Sequence, residues 1–196
     1  MKHIISIIIL SLVLFSCAKE ESDDSATTEL EGTWVTSCNV YSDSLYRKLT
    51  TIVSGTNFTV NYEYFSDSSC TTAASKWVDT QTSLSIGDAM VFSTYGASGG
   101  SGHQFTVYHN STTAEWQNAS DVSWANTNSY CGETDWELNV AQDVSGKTCG
   151  SSTEWSSGIT IYGLYILDGN KFMPSYDEDS YPSSVSSADS NTFIKQ

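Results

Sequence analysis

The run Phe58-Thr59-Val60-Asn61-Tyr62-Glu63-Tyr64 constrains the fold more than any other stretch, because large apolar or aromatic residues fall at every second position. Strand side chains point alternately to opposite faces, so this spacing builds one greasy aromatic face and one polar face. No window carries a sustained apolar stripe at helical spacing. The expected class is therefore all-β and antiparallel. Trp34 to Val40 and Leu45 to Val53 read as the preceding strands, with Ser54-Gly55-Thr56-Asn57 as a hairpin connection. Trp77 to Ile86, Ala89 to Tyr95, Gln104 to His109 and Thr113 to Gln117 read as shorter strands, separated by Gly87-Asp88, a Gly96 to Gly102 loop and Asn110. Asp135 to Val140 alternates Trp136, Leu138 and Val140 with polar residues. Ile159 to Leu167, the turn Asp168-Gly169-Asn170, Lys171 to Met173 and Thr192 to Lys195 complete the set. Gln117 to Cys131 and the acidic Tyr176 to Ser190 read as long loops. About eight to ten short strands imply a barrel or a sandwich, either of which limits exposed edges.

The first residues belong to targeting, not to this fold. Met1-Lys2-His3 is a short basic start, and Ile4 to Phe15 is apolar except for Ser6 and Ser11. A membrane-spanning helix needs about 20 apolar residues, and this run is shorter. Leu14-Phe15-Ser16-Cys17 resembles the lipobox of bacterial lipoproteins, in which a small residue precedes a cysteine that is diacylated on sulfur before cleavage; Phe15 is bulkier than that pattern's usual occupant. The resemblance implies removal of residues 1–16, lipid on Cys17 and anchorage to a membrane, expected to be the outer membrane on its periplasmic or surface side. Residues 17–29 include Glu20, Glu21, Asp23, Asp24 and Glu29 and no large apolar residue, so they read as a disordered tether. Lys19-Glu20-Glu21 also resembles the lysine-plus-acidic export signal of some Bacteroidota surface lipoproteins. Residues 30–196 are expected to form a single domain.

Without residues 1–16 the chain loses Lys2 and no acid, which leaves 23 acids against 7 bases and a formal charge of −16. Nucleic acid and anionic lipid would be repelled by such a surface. Apart from Cys17 there are four cysteines, Cys38, Cys70, Cys131 and Cys149. An even set in an exported chain points to two disulfides, and three pairings exist; Cys38 with Cys70 and Cys131 with Cys149 are favoured because each joins neighbouring segments. No Cys-x-x-Cys pair supports a zinc site, and no metal or cofactor is expected.

Gly32-Thr33-Trp34 resembles the Gly-x-Trp signature of lipocalins, whose tryptophan plugs the closed end of an eight-stranded cup. The longer pattern of Gly32-Thr33-Trp34, Cys38, Asn57-Phe58-Thr59, Tyr62-Glu63-Tyr64 and Cys70 resembles the extracellular domain of the Wnt-antagonist family named adenomatosis polyposis coli down-regulated, and a group of bacterial lipoproteins. Tyr130-Cys131-Gly132, Asp135-Trp136 and Asp168-Gly169-Asn170-Lys171 extend the likeness to that bacterial group. The resemblance implies a lipocalin-like antiparallel barrel, a Cys38–Cys70 bond and, as in the animal family, a cavity able to hold an acyl chain.

Other motifs point to no chemistry. Ser145-Gly146-Lys147-Thr148 ends like a phosphate-binding loop, but Ala141 stands where its first glycine belongs. Gly99 to His103 lacks the closing glycine of a nucleophile elbow, and the mature chain has only His103 and His109 to serve as imidazole bases, so no enzyme is expected. Asp177, Glu178 and Asp179 lack the spaced order of a calcium loop. Of the six tryptophans, Trp34 and Trp136 are expected in the core, and Trp124 or Trp155 nearer the surface.

The expected function is that of a membrane-anchored, extracytoplasmic, lipocalin-like module binding a small apolar or acylated ligand, with Trp34, Phe58, Val60, Tyr62, Tyr64 and Trp136 lining the barrel. The alternative is an envelope or surface interaction protein that meets a protein or glycan through loops on a solid barrel, since the Tyr95 to His103 and Trp116 to Tyr130 regions have the Ser, Gly, Asn, Tyr and Trp composition of adaptable recognition surfaces.

Overall fold

The computed structural model describes residues 28–92 and 100–196. The expected signal peptide, Cys17, the expected tether up to residue 27, and residues 93–99 lie outside the described residues.

Eight strands close into an antiparallel barrel. In chain order the sheet strands begin with β1 (Gly32–Val35), β2 (Asn39–Ser42), β3 (Leu45–Ser54), β4 (Asn57–Phe65), β5 (Ala73–Phe92) and β6 (Gly100–Trp116). The minor pairs β7 (Gln142–Asp143), β8 (Thr148–Cys149) and β9 (Ser152–Thr153) follow. The last three are β10 (Thr160–Asp168), β11 (Lys171–Asp177) and β12 (Phe193–Lys195). The ring runs β1-β3-β4-β5-β6-β10-β11-β12 and returns to β1, with β2 attached to β3 and β7 to β6. The hairpins expected at residues 54–57 and 168–171 are both present as two-residue turns, and Gly55 takes the positive φ of 57° that such turns demand.

The alternation of β4 and the register fix the inner face. Val53 pairs with Phe58, Thr51 with Val60 and Leu49 with Tyr62; on the other side Phe58, Val60 and Tyr62 pair with Gln81, Asp79 and Trp77. Directly opposed residues share a face, so these rows all point inward. The lower interior is filled by aromatic rings in succession, Phe58, Phe105, Tyr165, Phe172 and Phe193, with centroids 5.8 Å apart at each step. Phe105 has space because β10 carries Gly163 opposite it; a Cβ there would lie 2.1 Å from the ring. Trp34 closes the floor, 1% exposed, donating from Nε1 to the Leu30 carbonyl at 2.7 Å, with the Lys195 ammonium 5.0 Å above its ring.

Several elements differ from the sequence reading. The four short strands expected between Trp77 and Gln117 are one long ribbon of β5 and β6. Asn110 and Gly87-Asp88, expected as turns, are bulges in it, marked by register shifts at Thr80/Gln81 and Ile86/Ala89. A third shift at Thr82/Ser85 brings Leu84 into the core, 6% exposed. Extra residues of this kind bend and twist a strand enough to close a barrel. β11 runs four residues past Met173 despite Pro174, since β12 pairs only with Lys171 and Phe172 and leaves the edge beside Pro174 without ladder bonds to lose. The Gln117 to Cys131 loop contains a helix, α1 (Ala119–Thr127), capped by Asn118, whose side chain accepts from the Ser120 amide at 3.0 Å. Only Ala125 of α1 is buried, so it carries no apolar stripe for a sequence pattern to reveal.

Asp135 to Val140 is not a strand. It runs beside the end of β6 that extends past β10 but makes a single bridge, Leu138 to Trp116, before Asn139 turns at φ 59°. The alternation buries Trp136 alone and leaves Leu138 and Val140 about half exposed. The acidic 178–190 stretch crosses the outer face of β10 and β11, where Val185 packs with Leu164, Ile166 and Met173. That cover explains why β10 is apolar on both faces.

Candidate functional site

The barrel has a floor and a mouth. Glu31 accepts from the Gly55 amide in the β3–β4 turn at 2.9 Å, so the chain enters at the end of the barrel formed by that turn and by Trp34. Arg47 and Tyr64, at the far ends of β3 and β4, belong to the opposite end. There a cavity of about 280 Å³ opens. Its wall is Tyr62 and Tyr64 from β4, Trp77 and Asp79 from β5, and Thr112 from β6. Its lid is Tyr41 from β2, Tyr130 after α1 and the Cys149 to Trp155 hairpin. Tyr41 and Tyr64 meet edge to face at 4.9 Å, and Trp77 and Tyr130 likewise at 6.5 Å. A second cavity of about 250 Å³, also bordered by Tyr62, lies between β3 and β11 and includes Arg47, Tyr176 and Phe193.

Polar groups are buried where an inert core would have none. The Thr112 hydroxyl donates to Asp79 Oδ1 at 2.6 Å and lies 3.2 Å from His109 Nε2. With the Thr112 proton given to Asp79, an Nε2–H of His109 is the donor of the second bond. Nδ1 finds no hydrogen-bond partner, and neither do the Gln81 amide, the Thr51 hydroxyl or the Tyr176 hydroxyl. Each such orphan costs about 1 to 3 kcal/mol unless water or a ligand meets it. Burial pushes the Asp79 carboxyl up, against the Thr112 bond and the His109 and Tyr62 contacts that hold it down. Burial likewise pushes Glu154 up, with the Asp79 charge adding to the effect, and pushes His109 down. Tyr62 is held well above the usual phenol range by burial and by Asp79. Burial raises Tyr64 to about 12.

Of the residues expected to line the barrel, Trp34, Phe58 and Val60 lie in the packed lower core, and Tyr62 and Tyr64 border the mouth. Trp136 does not belong with them. It is 3% exposed in a separate cluster with Ala114, Ala125 and the second disulfide, gripped by Asn126, which accepts from its amide at 2.7 Å and donates to its carbonyl at 3.0 Å. The cysteines pair as the neighbouring segments favour, Cys38 with Cys70 and Cys131 with Cys149, the latter bond fastening the lid. Trp124 is half exposed, whereas Trp155 packs against the core and borders the mouth.

Sequence reasoning missed Asp79, Gln81, His109, Thr112 and Glu154. The signal for three of them was present: Trp77, Asp79 and Gln81 alternate at period two, as do Phe105, Val107 and His109, so polar side chains occupy inward positions of apolar rows. Lys147 of the phosphate-loop look-alike is engaged in an ion pair with Glu133, and Asp177 accepts from the Asp179 amide at 2.8 Å in a local turn. Among the described residues no three His, Cys, Asp or Glu side chains gather as a metal site. The chain matches no family model and no curated protein.

Proposed function

We propose that the chain is a lipid-anchored, extracytoplasmic binding module that takes one small ligand into the mouth of its barrel. The cavity at the end opposite the chain's entry carries this reading, because it joins a broad aromatic wall to the buried Asp79 and Thr112 side chains and to Glu154. At about 280 Å³ it suits a compact ligand. The aromatic rings below it occupy the room a long acyl chain would need, so a short apolar body fits this site better than a fatty tail.

The anchor and the mouth support each other geometrically. Lipid on Cys17 would hold the floor end toward the membrane and turn the mouth outward, with the eleven residue steps from Cys17 to Thr28 able to span at most about 40 Å. Titrating the mature protein with small aromatic probes while following tryptophan fluorescence tests the reading, since Trp77 and Trp155 border the site. Saturable quenching that disappears in Trp77→Leu supports it. Titration curves that are linear for every probe, with a Cys17→Ser protein localised like the wild type, would count against both halves.

The interaction-protein reading draws on Trp124 and Leu138, each about half exposed beside Trp116, and on the similarly exposed Val140. Capture of an envelope partner that is lost on Trp124→Ser, without change in probe binding, would favour it.

A further inference from the structure

We infer that the ligand of the mouth is a small organic cation, a protonated amine or quaternary ammonium carrying a short apolar body. This deepens the proposal of a small-ligand site and rests on it.

Three observations converge. The first is the wall: Tyr41, Tyr62, Tyr64, Trp77, Tyr130 and Trp155 all border one compact cavity. Aromatic faces present negative charge density, and several around one volume attract a cation, above all one whose charge is spread over methyl groups and weakly hydrated. One such contact already exists at the rim, where the Arg47 guanidinium stands 5.1 Å over the Tyr41 ring. Arg47 borders the neighbouring cavity, and no lysine or arginine lines the mouth itself.

The second is charge. Two carboxylates, Asp79 and Glu154, line the same cavity. Asp79 is 6% exposed, and a carboxylate so deep is normally paired with a cation. Among the described residues the one ion pair is Lys147 with Glu133, on the surface of the lid. The Asp79 side chain meets the Thr112 and Tyr62 hydroxyls, neither of them charged, and its hydrogen-bond route to His109 runs through Thr112. A bound cation would supply the missing charged partner and favour the ionised form that burial disfavours.

The third is the reach of polar recognition. Thr112 also lines the cavity, so a ligand hydroxyl or N–H beside its cationic head would meet an acceptor already oriented by Asp79 and His109. Anionic ligands meet two carboxylates and six negative ring faces. Neutral ones meet the rings and the Thr112 hydroxyl but leave the carboxylates without a counter-charge.

The test uses matched probes on the mature protein: choline and benzyltrimethylammonium, their neutral carbon counterparts 3,3-dimethylbutan-1-ol and neopentylbenzene, and octanoate, each titrated by calorimetry at low salt. The expected result is saturable binding of the cations, with the neutral counterparts weaker by about tenfold or more, the scale of one charge-assisted contact. Asp79→Asn and Glu154→Gln should each erase much of that preference; Glu154 is only partly buried, so its variant keeps the test open should Asp79→Asn misfold. Equal binding of cations and neutral counterparts would overturn the cation while leaving a small-ligand site in place. Preference for octanoate would do the same and favour an acyl ligand. Binding of no probe, in a protein whose near-ultraviolet dichroism shows it folded, would overturn both.

Discussion

Asp67 and Asp79 are carboxylates twelve residues apart on one hairpin, yet the fold treats them in opposite ways. Asp67 accepts from the amides of Ser69, Thr71 and Thr72, at 2.9, 3.1 and 2.6 Å, in the turn that carries Cys70. These amides, the Thr72 one foremost, hold its carboxyl at about 2, below the ordinary carboxylate value. A folded value below the unfolded one means that its contribution to stability is complete above about pH 3.9 and is lost as pH falls toward the folded value. Urea denaturation at successive pH values should therefore show the wild type losing stability in that acid window more steeply than Asp67→Asn. Asp79 has the reverse sign. Its folded value is raised by burial, so the folded state binds the proton more tightly and stability declines as pH rises from about 3.9 through the raised value. Asp79→Asn should flatten that decline and leave the protein at least as stable at neutral pH, while its cation preference is lost. A large neutral-pH destabilisation in that variant would show that the carboxylate is structural and not held for a ligand.

At the scale of elements, the glycine of β10 and the second disulfide set two different limits. The Phe105 ring crosses the space where a Gly163 side chain would stand, and Phe105 is in ring contact with Phe58 and Tyr165. Gly163→Val should cost at least about 2 kcal/mol in denaturant midpoint experiments, the scale of an overpacked core. Adding Phe105→Leu to that variant should recover part of the loss. Cys38–Cys70 and Cys131–Cys149 close segments with separations of 32 and 18 residues. Removing either by paired serine substitution should cost about 3 to 4 kcal/mol in the chain-entropy picture. Their effects on binding should differ. Cys149 borders the mouth and its bond ties the lid to the 3-10 turn at Tyr130–Gly132, so its loss should weaken probe binding. Loss of Cys38–Cys70, which borders neither cavity, should lower stability with little change in affinity.

For the whole molecule, the closed ring leaves few free sheet edges, and its two ends are chemically unlike. One is plugged by Trp34, Leu30 and Phe193; the other combines aromatic rings with acids in a chain of strongly negative net charge. Such a field draws small cations and repels anions over about 8 to 10 Å at physiological salt. The association rate of choline or benzyltrimethylammonium should accordingly fall as ionic strength rises, which stopped-flow fluorescence can follow; an insensitive rate would place the attraction in short-range contacts alone. Anchorage is tested separately, by mass spectrometry of the protein extracted from membranes. A mature start at Cys17 with added acyl mass is the expected result.

Much of this molecule was legible in the chain. The period-two row from Phe58 to Tyr64, the two hairpin turns and the favoured cysteine pairing follow from local rules, because strand alternation, turn φ angles and disulfide reach act over a few residues or between neighbouring segments. The all-β class follows from the same rows, which leave barrel and sandwich both open. Tertiary structure alone decided that Asn110 and Gly87-Asp88 would be bulges and not turns, since strain from ring closure is set by all eight strands together. It alone decided that Trp136 would pack with Ala125 of α1, where the Asn126 side chain takes both its amide and its carbonyl. It also gathered Tyr41, Tyr62, Trp77, Asp79, Tyr130 and Glu154 around one cavity. These side chains come from strands and loops up to 113 residues apart in sequence, counted from Tyr41 to Glu154, and no local pattern encodes a meeting that depends on register around a barrel.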